Sequence, residues 1–412
     1  MSKELKMTPD YRFPEFKNNG DWNGDSLINI AKFRRGSFPQ PYGLPEWYDD
    51  ENGMPFIQVY DVDDNFRLKK TTKRKISELA AEQSVFIEKG TVIITIQGSI
   101  GRVAITQYDA YIDRTLLIFQ EFYNDIDKTF FAYILFLLFE IEKLKAPGGI
   151  IKTITKEVLS DFVVSFPEIP EQQKIASCLS SLDEILAAHN DKLDALKDHK
   201  KGLLQNLFPQ EGETVPKVRF PEFEDVGEWE ETTLEQVADY ENGKAHEKDI
   251  DENGDYIVVN SKFISTEGET VKYSDTAFCP ANLGDILMVL SDVPNGKAIA
   301  KCFYVDEENR YSVNQRICRI TATDCDSRFL FYIMDRNAYF LSFDDGVKQT
   351  NLRKSDVLEF PFRIPADSVE QTKIASCISA VDELIKSQSA KIEELNQHKR
   401  GLMQGLFPKI KS

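Results

Sequence analysis

One segment of 39 residues occurs twice in this chain and constrains its fold more than any other feature. Residues 171–209 read EQQKIASCLSSLDEILAAHNDKLDALKDHKKGLLQNLFP, and residues 370–408 read EQTKIASCISAVDELIKSQSAKIEELNQHKRGLMQGLFP. Aligned without a gap, 20 of the 39 positions are identical. Chance does not produce such agreement over this length, so the chain contains a duplicated module.

The apolar residues of both copies follow the period of a paired helix. Their spacing alternates between four and three residues, which predicts a coiled-coil seam rather than a strand. The seam consists of Ile175, Leu179, Leu182, Leu186, Leu193, Leu196, Leu203 and Leu207 in the first copy, and of Ile374, Ile378, Val381, Ile385, Ile392, Leu395, Leu402 and Leu406 in the second. Polar residues take the remaining seam positions: His189 and Lys200, then Gln388 and Lys399.

A second repeat indicates that the duplication covers the whole module. RFPEF at residues 12–16 is followed by Trp22, and the same pentapeptide at residues 219–223 is followed by Trp229. The offset is 207 for both the pentapeptide and the tryptophan. We interpret the pentapeptide as a packing element shared by the starts of two related domains.

The segments between these starts and the long helices are typical of mixed sheets. β-Branched and aromatic runs such as 56–62 and 91–96 are separated by Gly, Pro and Asp, which predicts short strands. Further helices are predicted near 128–145 and 327–340. We therefore predict an α+β fold, with two pseudo-repeated mixed α/β domains separated by two long antiparallel helices that form a coiled coil.

A short linker rich in Gly, Pro and Glu, residues 210–217, marks a domain boundary. The predicted division is a first globular domain at 1–170, a central helix at 171–209, a second globular domain at 210–369 and a C-terminal helix at 370–412. Because the second domain connects the end of one helix to the start of the other, we expect the helices to run antiparallel. From Ile175 to Leu207 the seam extends roughly 50 Å at about 1.5 Å per residue.

The charge is uneven along the chain. Of the net charge of −18, residues 210–369 contribute −15 and residues 1–170 only −4. Phosphate binding needs Lys and Arg, so this composition disfavours a general nucleic-acid binder. The longest apolar run, residues 130–139, is too short to span a bilayer, and no secretory signal precedes it. With six cysteines and no CxxC pair, we expect reduced thiols and a cytoplasmic location.

Catalytic and metal-binding motifs are missing from the sequence. It contains no phosphate-binding GxxxxGK[ST] loop, no HExxH, no GxSxG and no Asn/Asp-Pro-Pro-aromatic motif of adenine methyltransferases. Two of the four histidines, His199 and His398, occupy matched helix positions, which favours a structural or partner-binding role. We predict no catalytic residue, no metal site and no cofactor on this chain.

Amide and basic side chains in loops are the candidates for contact with phosphates and base edges. The basic cluster at 69–75 contributes Lys70, Lys73, Arg74 and Lys75. The Gly-containing loop at 97–102 contributes Gln97, Ser99 and Arg102, and its counterpart at 291–297 contributes Asn295 and Lys297. Weaker candidates are Asn314, Gln315, Arg316 and Lys348. For every group an ordinary solvated turn or loop remains the alternative.

The paired helices EQxKIASC…DE…HK[KR]GL…QxLFP and the paired RFPEF…W starts resemble the specificity (S) subunit of type I restriction-modification enzymes. The stretch GTVIITIQGSIGRVAI also looks like that family's, and the resemblance covers essentially the whole chain.

This resemblance implies that the two globular domains are target recognition domains, each reading one half of a split sequence in double-stranded DNA. It implies that the helices set the gap between half-sites and dock two modification (M) subunits, which methylate adenine. Restriction (R) motor-nuclease subunits would join, and S-adenosylmethionine, ATP and Mg would bind on the partners. His189, His199, Lys200, Gln388, His398 and Lys399 are then register marks or docking points for partner helices.

A non-DNA scaffold is the alternative hypothesis. In it, the duplicated rod holds two partner proteins and the end domains bind protein. The Arg, Lys, Asn and Gln side chains in the varied loops favour DNA reading, whereas the net charge favours the scaffold.

Overall fold

The computed structural model describes residues 7–63, 65–145, 159–160, 162–293 and 296–409. These residues form two compact units. The first unit takes in the chain up to Asp191 together with the residues from Ala390 onward, and the second takes in Lys192–Ser389. Each long helix is therefore shared, because its first part belongs to one unit and its last part to the other.

The first unit contains two four-stranded sheets. Its strands are β1 (Asn23–Ser26), β2 (Ala31–Arg35), β3 (Met54–Ile57), β4 (Arg74–Ile76), β5 (Val85–Ile87), β6 (Val92–Thr95), β7 (Val103–Ile105), β8 (Ala110–Ile112), β9 (Leu116–Phe122) and β10 (Val163–Phe166). Its helices are α1 (Leu27–Ile30), α2 (Glu78–Ala81), α3 (Lys128–Lys145) and the first part of α4 (Ile169–Leu207), with 3-10 turns at Pro14–Phe16, Pro45–Trp47 and Val59–Asp61. The sheet orders are β2-β9-β6-β7 and β4-β3-β8-β5, β1 pairs with β10, and β3 and β8 are parallel neighbours.

The second unit repeats this plan. Its strands are β11 (Glu230–Thr233), β12 (Ala238–Asn242), β13 (Tyr256–Val259), β14 (Tyr273–Ser274), β15 (Pro280–Ala281), β16 (Ile286–Val289), β17 (Ser291–Asp292), β18 (Cys302–Tyr304), β19 (Tyr311–Val313), β20 (Ile317–Ala322), β21 (Thr350–Asn351) and β22 (Pro361–Ile364). Its helices are α5 (Leu234–Val237), α6 (Ser261–Ser265), α7 (Ser327–Met334), α8 (Ala338–Leu341), α9 (Lys354–Leu358) and the first part of α10 (Ser368–Leu406), with a 3-10 turn at Pro221–Phe223. The sheet orders are β12-β20-β16-β18 and β14-β13-β19-β15, with β13 and β19 parallel.

The repeated strand order confirms the predicted α+β fold with two pseudo-repeated domains and two long helices. Two local predictions are wrong in part. The strand predicted at 56–62 ends at Ile57, because the Asp61 carboxylate accepts the backbone N–H of Gln58 at 2.8 Å and closes a 3-10 turn. The helix predicted at 327–340 breaks after Met334, where Arg336 adopts a φ of +55°.

Both long helices contribute to the core of each unit. In the first unit, Ile175 and Leu179 of α4 and Met403 and Leu406 of α10 belong to the core that surrounds Trp22. The early part of α4 therefore meets the late part of α10, so the two segments run antiparallel within the unit. The matched core residues of the second unit are Ile374, Ile378, Leu207, Phe208 and Trp229. The seam residues predicted from the sequence are buried or half-buried along both helices.

The repeated pentapeptides join the two helix segments in each unit. Arg12 forms a bidentate ion pair with Glu171 near the start of α4, with N–O distances of 2.6 and 2.7 Å. The backbone N–H of Tyr11 donates to the carbonyl of Gly405 at 2.8 Å. The second unit has the same contacts, Arg219 with Glu370 and Val218 with Asn206. Matched positions of the repeat thus hold each domain onto the helices.

Candidate nucleic-acid and partner interfaces

The basic cluster at 69–75 divides into two pairs of side chains. The guanidinium of Arg74 lies 3.8 Å from the ring centre of Tyr48 and its Nε lies 3.1 Å from an Asp50 oxygen. Lys75 Nζ donates to the carbonyl of Glu51 at 2.8 Å. These two cations therefore brace the loop before β3. The remaining candidates, Lys70 and Lys73, are exposed, and Lys73 lies 4.9 Å over the Tyr60 ring.

The loop at 97–102 is a rigid turn. Gly98 and Gly101 adopt φ values of +72° and +87°, and a Cβ on Gly101 would lie 2.9 Å from the Cβ of Phe139. Arg102 donates from Nη1 to the carbonyl of Val62 at 3.2 Å, so its guanidinium ties two loops together. Ser99 is exposed and Gln97 is half-buried.

The counterpart loop at 291–297 is organised by a carboxylate. Asp292 accepts the backbone N–H groups of Val293 and Ala298 at 2.8 and 2.7 Å. Lys297 is exposed at the end of the loop, and the predicted residue Asn295 lies outside the described residues. Lys348 is exposed in a separate turn, where the Asp345 carboxylate accepts its backbone N–H at 3.0 Å.

A cleft of about 410 Å³ in the second unit is lined by three of the predicted DNA-contact residues. Asn314, Gln315 and Arg316 follow β19 directly and line the cleft. The other lining residues are Glu247, Asn260, Ser261, Lys262, Thr270 and Lys272. Sequence reasoning missed Asn260 and the two lysines, although Asn260 follows the apolar run of β13 as directly as Asn314 follows β19.

The first unit carries polar and aromatic side chains at the corresponding place. Gln58 follows β3, and Asp113 and Arg114 follow β8. Gln58 donates to the hydroxyl of Tyr42 at 3.3 Å, and that hydroxyl donates to the Asp113 carboxylate. The Tyr60 hydroxyl donates to the side-chain oxygen of Gln58. The sequence analysis missed all four of these residues; Gln58 and Tyr60 were missed because they fall inside the predicted strand 56–62.

The seam lysines pair with acids of the other helix segment in the same unit. Lys200 Nζ lies 2.6 Å from an Asp382 oxygen, and Lys399 pairs with Asp183. Tyr133 of α3 donates to Asp183 at 2.6 Å, and Tyr332 donates to Asp382 at 2.7 Å. Burial, followed by the hydrogen bond to Asp183, raises the pKa of Tyr133 well above its ordinary value. These contacts favour the interpretation of the lysines as register marks.

The other predicted docking residues differ in exposure. Gln388 is buried with 6% of its surface exposed, and His189 is half-buried. His199 and His398 are exposed, as are Ile185 and Leu384, two apolar residues at the same position of the repeat. The helices therefore present matched polar and apolar side chains to solvent.

The described residues offer neither a metal-binding cluster nor a membrane-spanning helix. Within the described ranges, no group of three or more His, Cys, Asp or Glu residues is arranged to hold a metal ion. None of the helices in those ranges is long and apolar enough to cross a membrane.

Comparison with known proteins identifies the family. Residues 25–198 and 227–397 each match the family profile of the Type I restriction modification DNA specificity domain. The chain belongs to the type I restriction-modification specificity subunits. Among curated proteins, this specificity subunit is 22% identical over 421 residues to the Type I restriction enzyme MjaVIII specificity subunit of Methanocaldococcus jannaschii, covering 97% of this chain and 94% of that protein. It is 26% identical over 215 residues to the MjaIX specificity subunit of the same organism, covering 50% and 46% of the two chains.

Solved structures share the fold of this specificity subunit. The S subunit of a type I restriction-modification system from M. genitalium superposes with a TM-score of 0.62 at 15% identity, covering 98% of this chain and all of that one. A chain from a structure addressing complex assembly and conformational transition of the type I R-M system gives a TM-score of 0.53 at 14% identity, with 94% and 98% coverage.

Proposed function

We propose that this specificity subunit recognises a bipartite sequence in double-stranded DNA, with one domain for each half-site. It has no catalytic role of its own. It positions two M subunits that methylate adenine, and R subunits join the assembly to cut unmodified DNA. S-adenosylmethionine, ATP and Mg bind on those partners, and the complex works in the cytoplasm.

One observation carries this proposal: the framework of the two units is repeated while the loops at one sheet edge differ. The Arg12–Glu171 and Arg219–Glu370 pairs have the same geometry. In contrast, the residue directly after the first parallel strand is Gln58 in one unit and Asn260 in the other. The arginines after the second parallel strand, Arg114 and Arg316, stand at different positions, two and three residues beyond the strand end. A constant frame with varied polar loops suits two readers of different half-sites that are held by identical partners.

The test is selection of a target from random DNA. The full chain is assembled with its M subunits, mixed with random duplexes, and the bound duplexes are sequenced. We expect enrichment of two short motifs separated by a fixed gap, and adenine methylation in each motif when S-adenosylmethionine is supplied. An assembled complex that binds its M subunits and enriches no bipartite motif would contradict the proposal and favour the protein scaffold.

A further inference from the structure

The second domain combines a strongly acidic composition with a cleft that is rich in cations. Residues 210–369 carry 17 basic and 32 acidic side chains. Many of the cations are held by acids: Arg219, Lys301, Arg310, Arg319 and Arg363 form ion pairs. In the part of the chain that the structure describes, the side chains of Lys262, Lys272 and Arg316 make no ion pair or hydrogen bond, and all three line the cleft.

Only one acidic residue, Glu247, lines the cleft among the described residues. Glu247 accepts a hydrogen bond from the side-chain amide of Gln315. With three exposed cations and one carboxylate, the cleft carries a local excess of positive charge in an acidic domain, which phosphate contact requires.

The backbone of the 314–316 loop is fixed before any ligand arrives. The backbone N–H of Gln315 donates to the carbonyl of Lys244 at 3.1 Å, and the carbonyl of Arg316 accepts from Leu290 at 2.8 Å. Arg316 itself adopts a φ of +72°, a conformation that side-chain-bearing residues rarely take. Its exposed guanidinium is thus presented from a rigid, locally strained loop.

In the first unit, the loop after β8 occupies the position that the 314–316 loop occupies after β19. The backbone N–H of Asp113, after β8, donates to the carbonyl of Ile57 at the end of β3 at 3.0 Å, and that of Asn314, after β19, donates to the carbonyl of Val259 at the end of β13 at 3.0 Å. The carboxyl ends of the parallel pair β3 and β8 therefore correspond to those of β13 and β19. Loops at the carboxyl ends of adjacent parallel strands lie together at one sheet edge, which is where open sheets bind ligands.

We propose that these two sheet edges are the base-reading sites, with Arg316 reading the second half-site and Arg114 the first. An arginine bonds the O6 and N7 atoms of guanine with two donors. Lys262 and Lys272 contact phosphates and set the register of the second domain on the duplex. This inference rests on the proposed function and extends it to named residues.

The test compares the selected motif of the full complex before and after substitution. Arg316→Lys keeps the charge but not the two-donor fork, and Arg316→Asn suits the positive φ. We expect either change to lower the preference for one base of the second half-site by roughly 5- to 150-fold, the range typical of one bidentate contact. The first half-site should stay the same. Arg114→Lys should have the converse effect.

Arg310→Lys is the matched control, because Arg310 lies at the opposite end of β19 and pairs with Glu307 on the surface. It should leave both half-sites unchanged. Thermal unfolding and M-subunit binding establish that each variant is folded. If the wild-type complex selects a bipartite motif and the Arg316 and Arg114 variants select the identical motif, the inference is overturned while the proposed function stands. If Lys297→Ala or Lys348→Ala alters the bases instead, reading belongs to those loops and the inference is again overturned.

Discussion

One arginine in each domain, Arg12 in the first and Arg219 in the second, joins that domain to a long helix through a buried ion pair. Arg12 and Arg219 have 8% and 9% of their side chains exposed, and their partners Glu171 and Glu370 have 1% and 0%. Hydrogen bonding to its glutamate raises the pKa of each arginine above its ordinary value. A carboxylate at this depth depends on its partner, because an unpaired buried charge is strongly disfavoured.

Replacing Arg219 by Met should therefore destabilise the second unit. We expect a loss of about 3–5 kcal/mol in the free energy of unfolding, because Glu370 would remain buried without its cation. Denaturant unfolding followed by tryptophan fluorescence measures the change. Arg310→Met is the control: its pair with Glu307 is half exposed on both sides, so the expected change is at most about 1 kcal/mol. Equal losses in the two variants would show that Arg219 contributes no more than a surface pair.

The candidate reading residues show where single-residue prediction succeeds. Asn314, Gln315 and Arg316 were found because a polar triplet directly precedes the apolar run of β20. Gln58 and Tyr60 were missed because their β-branched and aromatic neighbours continue the strand pattern, and the turn depends on the Asp61 carboxylate meeting the backbone of Gln58. Such a side-chain contact competes with strand pairing and has no periodic signature.

At the scale of elements, matched glutamines set the start of each long helix. Gln172 donates to the carbonyl of Pro167 at 2.8 Å and accepts the backbone N–H of Asp127, the residue before α3, at 2.9 Å. Gln371 makes the matched contacts with Pro365 and Asp326. Each long helix therefore begins at a fixed angle to the shorter helix of its domain.

The seam lysines provide a direct test of helix pairing. A leucine at position 200 would complete the apolar period of α4. If Lys200 had no role in helix pairing, replacing it by leucine should increase the free energy of unfolding. We expect Lys200→Leu to lower the free energy of unfolding instead, because Asp382 loses its cation at 2.6 Å. A double-mutant cycle with Asp382→Asn should give a coupling of about 0.5–3 kcal/mol. A Lys200→Leu variant that is more stable and still binds M subunits would contradict the interpretation of Lys200 as a register mark.

The two long helices were the most predictable elements, since a 3.5-residue period over 39 residues has no competing interpretation. The predicted starts, Glu171 and Glu370, lie within two residues of the observed starts at Ile169 and Ser368. The break between α7 and α8 was not predictable from that kind of pattern, because apolar residues continue across Arg336 at helical spacing. Its cause is local, in the positive φ of Arg336 and the cap that Asn337 provides for α8.

At the scale of the whole molecule, the sequence predicted two modules in order along the chain. The partition of each long helix between two compact units was not predicted, because it depends on which distant residues share a core. Trp22 with Phe407, and Trp229 with Phe208, are the pairs that decide it, at ring distances of 6.2 and 6.4 Å. Repeat alignment shows that these residues match, and only the structure shows which of them meet.

The spacer prediction belongs to this scale. Asp183 and Lys200 are 17 residues apart in α4, and Asp382 and Lys399 are 17 apart in α10. A seven-residue repeat added to one helix alone would break the equality, so it should be added to both, between these residues. We expect the selected DNA motif to keep both half-sites and to change its gap, as measured by sequencing of bound random duplexes. Altered half-sites would contradict the role of the helices as a spacer.

The division of the long helices also has a consequence for synthesis on the ribosome. The second unit is one continuous stretch of chain, whereas the first unit needs residues from Ala390 onward to complete its core around Trp22. The first domain is therefore translated first, but its core is the last to be completed. Until Phe407 emerges, the nascent first domain lacks the ring that stacks on Phe130 at 5.4 Å, and it exposes the apolar surface that this ring covers in the finished subunit.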